Sequence, residues 1–225
     1  MTIIRRATEA DIGTVARTYG RAFADDPVMR WLIPDDDEYE AIQVPFFGAL
    51  ARRWLFHGTL WCTDDGVAVA GWNPPGRPGA VVVDPTPVHH PDWRIERFIA
   101  LRTVIDANTP PETHWHLNMI ATHPDWQRRG LAGALMSTVF EVADEAGLPC
   151  YLETETPENV AYYRHHGFEV RTEWDAATAD SQGPHMWGML RPSRDQVRER
   201  VTGFRDERAP VAEDRRHRVQ HPPGA

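Results

Sequence analysis

The sequence predicts an α/β fold built on a mixed β-sheet. The first observation is a strand followed directly by a helix: residues 114–122 alternate and carry aromatic and β-branched side chains. After a break at Pro124, Leu131, Leu135 and Val139 recur at helical spacing. The second observation is an Asp-Gly turn between two short apolar runs, which predicts a β-hairpin. Strand and helix patterns alternate along the chain, and this order favours one sheet with helices packed on it.

The N-terminal part of the chain is predicted to begin with a strand and a capped helix. Residues 3–7 form the strand. Thr8, with Asp11 three residues on, is typical of a helix N-cap with an acidic partner in the first turn. The elements after this helix are a short helical or irregular segment at 28–33, a helix at 38–56 and hairpin strands at 59–63 and 67–72.

Beyond the hairpin, residues 73–91 are rich in proline and indicate a surface loop. A helix at 92–107 leads to the strand at 114–122 and its helix, which ends at Gly147. The last predicted elements are a strand at 150–154, a helix at 158–166 that ends before Gly167, and strands at 168–174 and 185–190.

Length and composition indicate one domain over residues 1–190 and a charged tail over 191–225. A chain of 225 residues suits a single domain with an extension. The tail holds nine arginines and six acidic residues but few apolar ones. Residues 193–208 can form a charged helix, and disorder is expected beyond them.

The charge and the cysteine content exclude several classes of function. A formal net charge of −9 argues against nucleic acid as a partner, since duplex-binding proteins present basic faces, and it suits an amine substrate. Cys62 and Cys150 are too few for a disulfide framework or a zinc site, so we expect a reducing cytoplasm and no metal. No apolar run approaches the length of a membrane helix, and the first 22 residues lack the apolar centre of a secretory signal. We therefore expect a cytoplasmic protein, monomeric or homodimeric, that acts without a membrane.

The turn between the strand at 114–122 and its helix is predicted to bind an anion. The first backbone N–H groups of a helix have no partner inside the helix, and the helix dipole adds partial positive charge there. Gly130 and Gly133 carry no side chain that would keep a ligand from these groups, and Arg128 and Arg129 add formal charge. The alternative is that the glycines serve only the close packing of the helix on the sheet.

Two motifs in this region resemble those of a known superfamily. The first, Gln127-x-x-Gly130-x-Ala132, resembles the Gln/Arg-x-x-Gly-x-Gly/Ala signature of the GNAT N-acetyltransferases. The second follows about thirty residues later, where residues 157–168 resemble the Asn…Tyr-x-x-x-Gly-Phe segment of the same superfamily. Their order and separation match the superfamily, and the resemblance covers roughly residues 3–190.

The resemblance implies a more specific fold and a co-substrate. GNAT proteins have a mixed, mostly antiparallel sheet flanked by helices, and two splayed central strands open a cleft that holds acetyl coenzyme A. By resemblance, the turn and helix start bind the pyrophosphate, and the strand that ends at Thr122 pairs with the pantetheine amides. Asn159 is a further implied contact or else a helix cap, because it lies closer to the tyrosine than in most members. The implied binding residues are Ile120, Ala121, Thr122, Gln127, Arg128, Arg129, Gly130, Leu131, Ala132, Gly133, Ala134 and Asn159.

Tyr163 is implied to protonate the leaving thiolate, because a tyrosine four residues before Gly-Phe often lies beside the sulfur in the superfamily. A phenol with a pKa of about 10 can do this without being ionised at neutral pH. Tyr162 is the alternative, since one of two adjacent aromatic residues on a helix usually faces the core. The general base is left open between Glu153 on the next strand and His116, for which a structural role is the alternative.

The acceptor site is expected just after the first helix. In the superfamily the loop and short helix there line this site. Residues 23–31, together with 61–66 and 152–154, are similar to the puromycin N-acetyltransferase subgroup. Asp25 or Asp26 can attract an amine, and Trp31 can stack on a planar group. The alternative is a helix-terminating turn with a tryptophan in the core.

The sequence therefore predicts an enzyme, an acetyl-coenzyme-A-dependent N-acetyltransferase. We expect it to act on the primary amine of a small molecule, by direct attack in a ternary complex. Two alternatives stay open: the same fold can acetylate a protein or peptide amine, or the chain can bind coenzyme A without catalysis, as a sensor.

Overall fold

The computed structural model describes residues 2–76 and 90–198, which form one seven-stranded sheet with helices on both faces. The strands lie in the order β1-β2-β3-β4-β5-β7-β6, and β4 with β5 is the parallel pair. The other neighbours are antiparallel, so the predicted mixed, mostly antiparallel sheet is confirmed. The strands are β1 (Ile4–Arg6), β2 (Leu60–Thr63), β3 (Ala68–Asn73), β4 (Trp115–Thr122), β5 (Cys150–Thr154), β6 (Glu169–Thr178) and β7 (Ser181–Arg191).

Three of the six described α-helices begin at a short polar side chain that caps them. Asp26, Asp35 and Thr156 each accept a hydrogen bond from a backbone N–H in the first turn of the helix that follows. Across residues 2–76 and 90–198, no helix is both long enough and apolar enough to cross a membrane. The helices are α1 (Ile12–Ala22), α2 (Pro27–Leu32), α3 (Asp36–Phe56), α4 (Asp92–Asn108), α5 (Leu131–Glu145) and α6 (Pro157–His165).

The last two strands are longer than the sequence predicted. They form a hairpin, β6 and β7, whose extra length pairs polar residues such as Asp175 with His185. A ring nitrogen of His185 lies 2.8 Å from the carboxylate of Asp175, so this polar part of the hairpin is held by side chains as well as by backbone. Of the predicted charged tail, residues 194–198 are helical, and residues 199–225 lie outside the described part, as does most of the proline-rich loop.

Two apolar clusters fill the two faces of the sheet. One lies under α1, α2 and α3, where the rings of Tyr19 and Phe47 stack with centroids 5.8 Å apart. The other lies under α5 and α6 and includes Phe140 and Phe168. Burial of these aromatic side chains is the main source of stability on both faces.

The central strands β4 and β5 separate before either one ends. They pair only from Trp115 to Leu117, although β4 continues to Thr122 and β5 to Thr154. Directly after the last pair, the register of β4 against β3 shifts by one residue, which leaves Asn118 as the extra residue of a β-bulge. The bulge bends β4 away from β5, and this confirms the splayed central strands.

A buried ion pair ties the end of β7 to α5. The Asp144 side chain is 3% exposed and accepts two hydrogen bonds from the Arg191 guanidinium, at 3.0 and 2.9 Å, and one from the Arg194 backbone N–H. Burial alone would raise the pKa of Asp144, but the bonds from Arg191 and Arg194 outweigh it and hold the pKa below its ordinary value.

We expect Asp144→Asn to lower the free energy of unfolding by about 3 kcal/mol at pH 7, because it leaves buried Arg191 without a counter-charge. The pKa of Asp144 is lower in the folded protein than in the unfolded chain. The ionised carboxylate therefore stabilises the fold fully at pH values above its pKa in the unfolded chain, and this stabilisation is lost as pH falls through its pKa in the folded protein. The difference from wild type should therefore shrink in acid. Urea unfolding followed by tryptophan fluorescence measures both effects.

The control is Asp195→Asn, which removes a carboxylate that is 65% exposed and pairs with Arg198 at the surface. We expect this change to stay within about 0.5 kcal/mol of wild type. Equal effects of the two substitutions would contradict a structural role for the Asp144 pair.

Candidate active site

The separation of β4 and β5 opens a cleft of about 620 Å³, here called the splay cleft. Its walls come from the end of β4, the turn into α5, the N-terminal part of α6 and the α1–α2 loop. Helix α5 begins at Leu131 because Gly130 adopts a left-handed conformation with φ of 76°. The residues that line the splay cleft are Ala22, Phe23, Asp25, Asp26, Pro27, Ile120, Ala121, Thr122, Trp126, Gln127, Arg128, Gly130, Leu131, Ala132, Thr156, Glu158, Asn159, Tyr162 and Tyr163.

The turn into α5 carries a row of unpaired hydrogen-bond donors. Arg128 adopts the left-handed conformation at φ of 59°, which is uncommon for a residue with a side chain. The first bond of the helix runs from the Ala134 N–H to the Gly130 carbonyl at 3.0 Å, and the N–H groups of residues 128–132 donate to no group in the described chain. Unpaired amides at a helix N-terminus, next to an arginine, form an anion site.

The two arginines of this turn have different surroundings. Arg128 lines the splay cleft. Arg129 does not, because its guanidinium lies over the Trp126 ring, 4.5 Å from the centroid, and donates to the Asp125 carbonyl. Arg128 is therefore the arginine placed to neutralise a ligand in the cleft, and Arg129 supports the turn from outside.

Gly133 and Ala134 also lie away from the lining of the cleft. A Cβ on Gly133 would come 2.9 Å from Cε1 of His166 and 3.7 Å from the Tyr162 hydroxyl, so this glycine allows α6 to approach α5. His166 is correspondingly half-buried, and burial lowers its pKa. Gly133 therefore serves the close packing of helices that the sequence left open as an alternative. Gly130 does not, because a Cβ at that position would meet nothing within 4 Å.

Both tyrosines of α6 reach the splay cleft. Tyr163 is 8% exposed and packs on the apolar cluster under α6, and Tyr162 is 38% exposed. The Tyr163 hydroxyl has no hydrogen-bond partner among the described residues. Burial raises the pKa of Tyr163, and Glu155 raises it further, so the phenol keeps its proton.

Carboxylates gather beside Tyr163. Asp26 caps α2 by accepting from the Met29 N–H at 2.9 Å and also lines the splay cleft, where burial raises its pKa to about 6. Asp25 is an exposed neighbour on the same loop. Burial, followed by the charges of Asp26 and Glu153, raises the pKa of Glu155 well above its usual range. The α1–α2 loop therefore places the carboxylates of Asp25 and Asp26 in the cleft beside Tyr163, whereas burial favours the protonated form of Glu155.

The two candidate bases form one hydrogen-bonded pair. His116 Nε2 lies 2.7 Å from Glu153 Oε2, and the two side chains are 14% and 8% exposed. Glu153 Oε1 is buried and has no partner. Within the described ranges, no three metal-ligating side chains are grouped so as to hold an ion. The pair lies on the far side of the bulge from the splay cleft, where His116 and Asn118 line a second cavity.

Two sequence-predicted residues have other surroundings than expected. Trp31 lies in the core outside the splay cleft, where its Nε1 donates to Ser181 Oγ at 2.9 Å. Asn159 lines the cleft but is not a cap, because Thr156 caps α6 by accepting from the Asn159 N–H. Trp31 thus has the core position that the sequence left open as its alternative. Thr156 has the cap role that was considered for Asn159.

Sequence reasoning missed Glu155 and Trp126 at this site. The signal for Glu155 was available, since Glu153 and Glu155 are two residues apart and lie on one side of the chain at the end of β5. Trp126 lies in a short 3-10 turn that begins at Pro124, and nothing in its local sequence separates a cleft residue from a packing one.

A family model supports what the geometry indicates. The model of the acetyltransferase (GNAT) family matches residues 28–168, which include β4, β5 and the turn between β4 and α5. A relative described as an uncharacterized N-acetyltransferase of Schizosaccharomyces pombe is 24% identical over 192 residues, or 73% of each chain.

Solved structures show the same fold at low identity. A Corynebacterium glutamicum protein, described as a histone acetyltransferase and related acetyltransferase, gives a TM-score of 0.62 at 22% identity over 85% of this chain and 96% of its own. Arylalkylamine N-acetyltransferase 2 of Aedes aegypti gives 0.60 at 12% identity over 85% and 98%. At these identities the likeness extends to the fold alone.

We expect Asp26→Asn to change how stability depends on pH. The folded pKa of Asp26 is raised to about 6, so ionisation in the folded protein is unfavourable. The free-energy cost of ionising Asp26 in the folded protein grows as pH rises from the pKa of the unfolded state towards 6. Above pH 6 this cost stays constant. Asparagine keeps the cap and removes the charge, so the variant should gain about 2 kcal/mol on wild type between pH 4 and pH 7.

Urea unfolding of both proteins across this pH range provides the measurement, with Asp25→Asn on the exposed neighbour as the control. If the wild-type and Asp26→Asn curves run parallel, Asp26 is not the buried carboxylate described above.

Proposed function

Because the chain belongs to the acetyltransferase (GNAT) family and is an acetyl-coenzyme-A-dependent N-acetyltransferase, we propose that its acceptor is the primary amine of a small molecule. The amine attacks the thioester directly while both substrates are bound. The observation that carries this proposal is the splay cleft, where unpaired amides, a buried phenol and carboxylates lie within one opening.

The hydrogen-bond donors and the volume of the splay cleft suit coenzyme A. The free N–H groups of residues 128–132 and the Arg128 side chain would hold the pyrophosphate, and Gly130 leaves them accessible. Residues 120–122 pair with β3 through one edge, and their other edge no longer pairs with β5. That free edge would bond the amides of the pantetheine. When bound, acetyl coenzyme A supplies the acetyl thioester.

Tyr163 is the proposed acid. As the amine nitrogen bonds to the acetyl carbon, the carbon–sulfur bond breaks, and the sulfur takes the hydroxyl proton of Tyr163. The proton that the nitrogen loses on becoming an amide restores the phenol. The raised pKa of this phenol ensures that the proton is present at neutral pH. The bulged backbone at Asn118 would polarise the carbonyl with an N–H group that the irregular ladder leaves available.

His116 and Glu153 are proposed to act together as the base. The ammonium group of the acceptor must lose a proton before it attacks, and His116 can accept this proton while Glu153 holds the ring in place. His116 and Glu153, which the sequence left open as alternative bases, thus act as one hydrogen-bonded pair in this proposal. The unpartnered Glu153 Oε1 would also attract the ammonium group.

The enclosure of the base favours a small acceptor over a protein. The His116–Glu153 pair is almost fully buried, and α4 contacts β6 on the same side of the sheet. His116 is reached through the second cavity, which α4 lines and whose volume of about 590 Å³ suits a small molecule better than a peptide chain. A non-catalytic coenzyme-A sensor is disfavoured because the phenol and the open glycine turn are both present.

The proposal is tested by measuring coenzyme A release with two panels, one of small primary amines and one of peptides with free N-termini. Mass spectrometry identifies the acetylated products. We expect turnover with members of the small-amine panel. Turnover with peptides alone would favour the protein acceptor, and coenzyme A binding without turnover on either panel would favour the sensor.

We expect Tyr163→Phe to lower kcat by about 10²- to 10³-fold, because the sulfur would depart without a proton donor. Coenzyme A affinity should be unchanged, which excludes misfolding. Tyr162→Phe is the matched control and should retain most of the activity. Full turnover by Tyr163→Phe would remove the assigned acid.

We expect Arg128→Ala to weaken coenzyme A binding about tenfold in isothermal titration calorimetry, since it removes the cation that faces the pyrophosphate. Arg129→Ala is the control in the same turn and should change the affinity by less than about twofold, because its guanidinium lies on Trp126. The reverse order of effects would show that the turn binds the coenzyme differently.

A further inference from the structure

The second cavity, here called the histidine cavity, has a volume of about 590 Å³ and lies between α3, α4 and the first half of β4. This size suits a small molecule. Its apolar wall consists of Phe98, Leu101 and Ile105 on α4. The titratable side chains that line it are Arg53, Arg102, Asp106, Glu112, His114 and His116.

Arg53 is a cation without a counter-ion in this cavity. Its Nε is buried and has no hydrogen-bond partner, and its guanidinium pairs with no carboxylate in the described chain. Burial lowers the pKa of Arg53, and the like charge of Arg102 lowers it further. The carboxylate of Asp106 is already bonded to Arg102 at 2.7 Å. A partly buried, unpaired arginine is unfavourable unless an anion joins it.

The neighbouring arginine on α3 shows the contrast. Arg52 Nε donates to Glu9 at 3.1 Å on the surface, outside the histidine cavity. The two arginines are adjacent in sequence, and the one that lines the cavity is the one without an acid. Nothing in the local sequence of α3 distinguishes them, so only the fold shows the difference.

Negative charge lies at the other end of the histidine cavity. His116 lines it and is bonded to the carboxylate of Glu153, and Asp26 lies further towards the splay cleft. Glu155 adds no charge, because burial raises its pKa well above the usual range. His114 is the second ring there; burial lowers its pKa, so it adds no charge at neutral pH. A molecule that fits both ends has an anionic group for Arg53 and an ammonium group for the carboxylates.

The backbone of β4 connects the histidine cavity with the splay cleft. Asn118 lines the histidine cavity and Ile120 lines the splay cleft, and two residues of a strand span only about 7 Å. An acceptor that lies along β4 from His116 to Asn118 can therefore bring its amine to a thioester in the splay cleft at the bulge.

We propose that the acceptor is a primary amine that also carries a carboxylate, and that Arg53 binds this carboxylate in the histidine cavity. The inference rests on the proposed function, because the amine is the group to be acetylated. Arg53 is then the residue that selects the substrate, and the apolar wall on α4 holds the carbon skeleton between the two charged groups.

The experiment compares amines that differ only by a carboxylate at the far end of the carbon skeleton: 4-aminobutanoate with propylamine, 6-aminohexanoate with pentylamine, and 8-aminooctanoate with heptylamine. We expect wild type to prefer at least one acid over its partner by tenfold or more in kcat/KM. Arg53→Gln should lower kcat/KM for that acid by about ten- to hundredfold, mostly through KM, and at least tenfold more than for its partner. Arg53→Lys should restore part of the loss.

Direct binding provides a second readout that needs no turnover. Calorimetric titration of the preferred acid into protein saturated with coenzyme A should give heat with wild type and with Arg52→Gln, the surface control, but not with Arg53→Gln. If wild type acetylates amines with and without a carboxylate equally, or if Arg53→Gln affects both equally, the inference is overturned. Absence of turnover on every amine would instead overturn the proposed function.

Discussion

The loss of pairing between β4 and β5 after three residue pairs is the constraint on which the rest of the site depends. A parallel pair that continued to Thr122 and Thr154 would bond its backbone groups to itself and close the sheet. Because it stops at Leu117, the free edge of β4, the amide row at the start of α5 and the tyrosines of α6 all border one opening. The apolar clusters on the two faces keep the separated strands in place, since each strand is still packed on both sides.

The charged groups follow a clear order along this opening. Arg128 and the amides lie at one end, the carboxylates Asp26 and Glu155 lie near the phenol, and the His116–Glu153 pair lies beyond the bulge. Burial raises the pKa values of Asp26 and Glu155, and the charges of Asp26 and Glu153 raise that of Glu155 further, which is unfavourable for folding. Perturbed groups of this kind gather where chemistry takes place, and here they lie on either side of the strand that separates the two cavities.

Much of the fold followed from local patterns, and parts of the site did not. The alternation in β4, the caps of the helices and the glycine turn are local signals, and each element was found close to its predicted position. The pairing of His116 with Glu153 depends on the register of two strands, which neither segment encodes alone. Trp31 was considered for the acceptor site and lies in the core, because an aromatic residue after a turn suits both environments equally. The exposure of one α3 arginine to a cavity depends on α4, a helix far along the chain.

The bulge has a consequence for how this chain can change. Leu117 belongs to the cluster under α5, whereas Met119 and Ala121 belong to the cluster under α1, so Asn118 is the point at which alternation is interrupted. Excising that single residue would leave every inward-facing side chain of β4 on its present face and would regularise the ladder with β3. The fold would thus tolerate a straight β4. During evolution, the deletion of one codon could therefore remove the activity without any change in the apolar core.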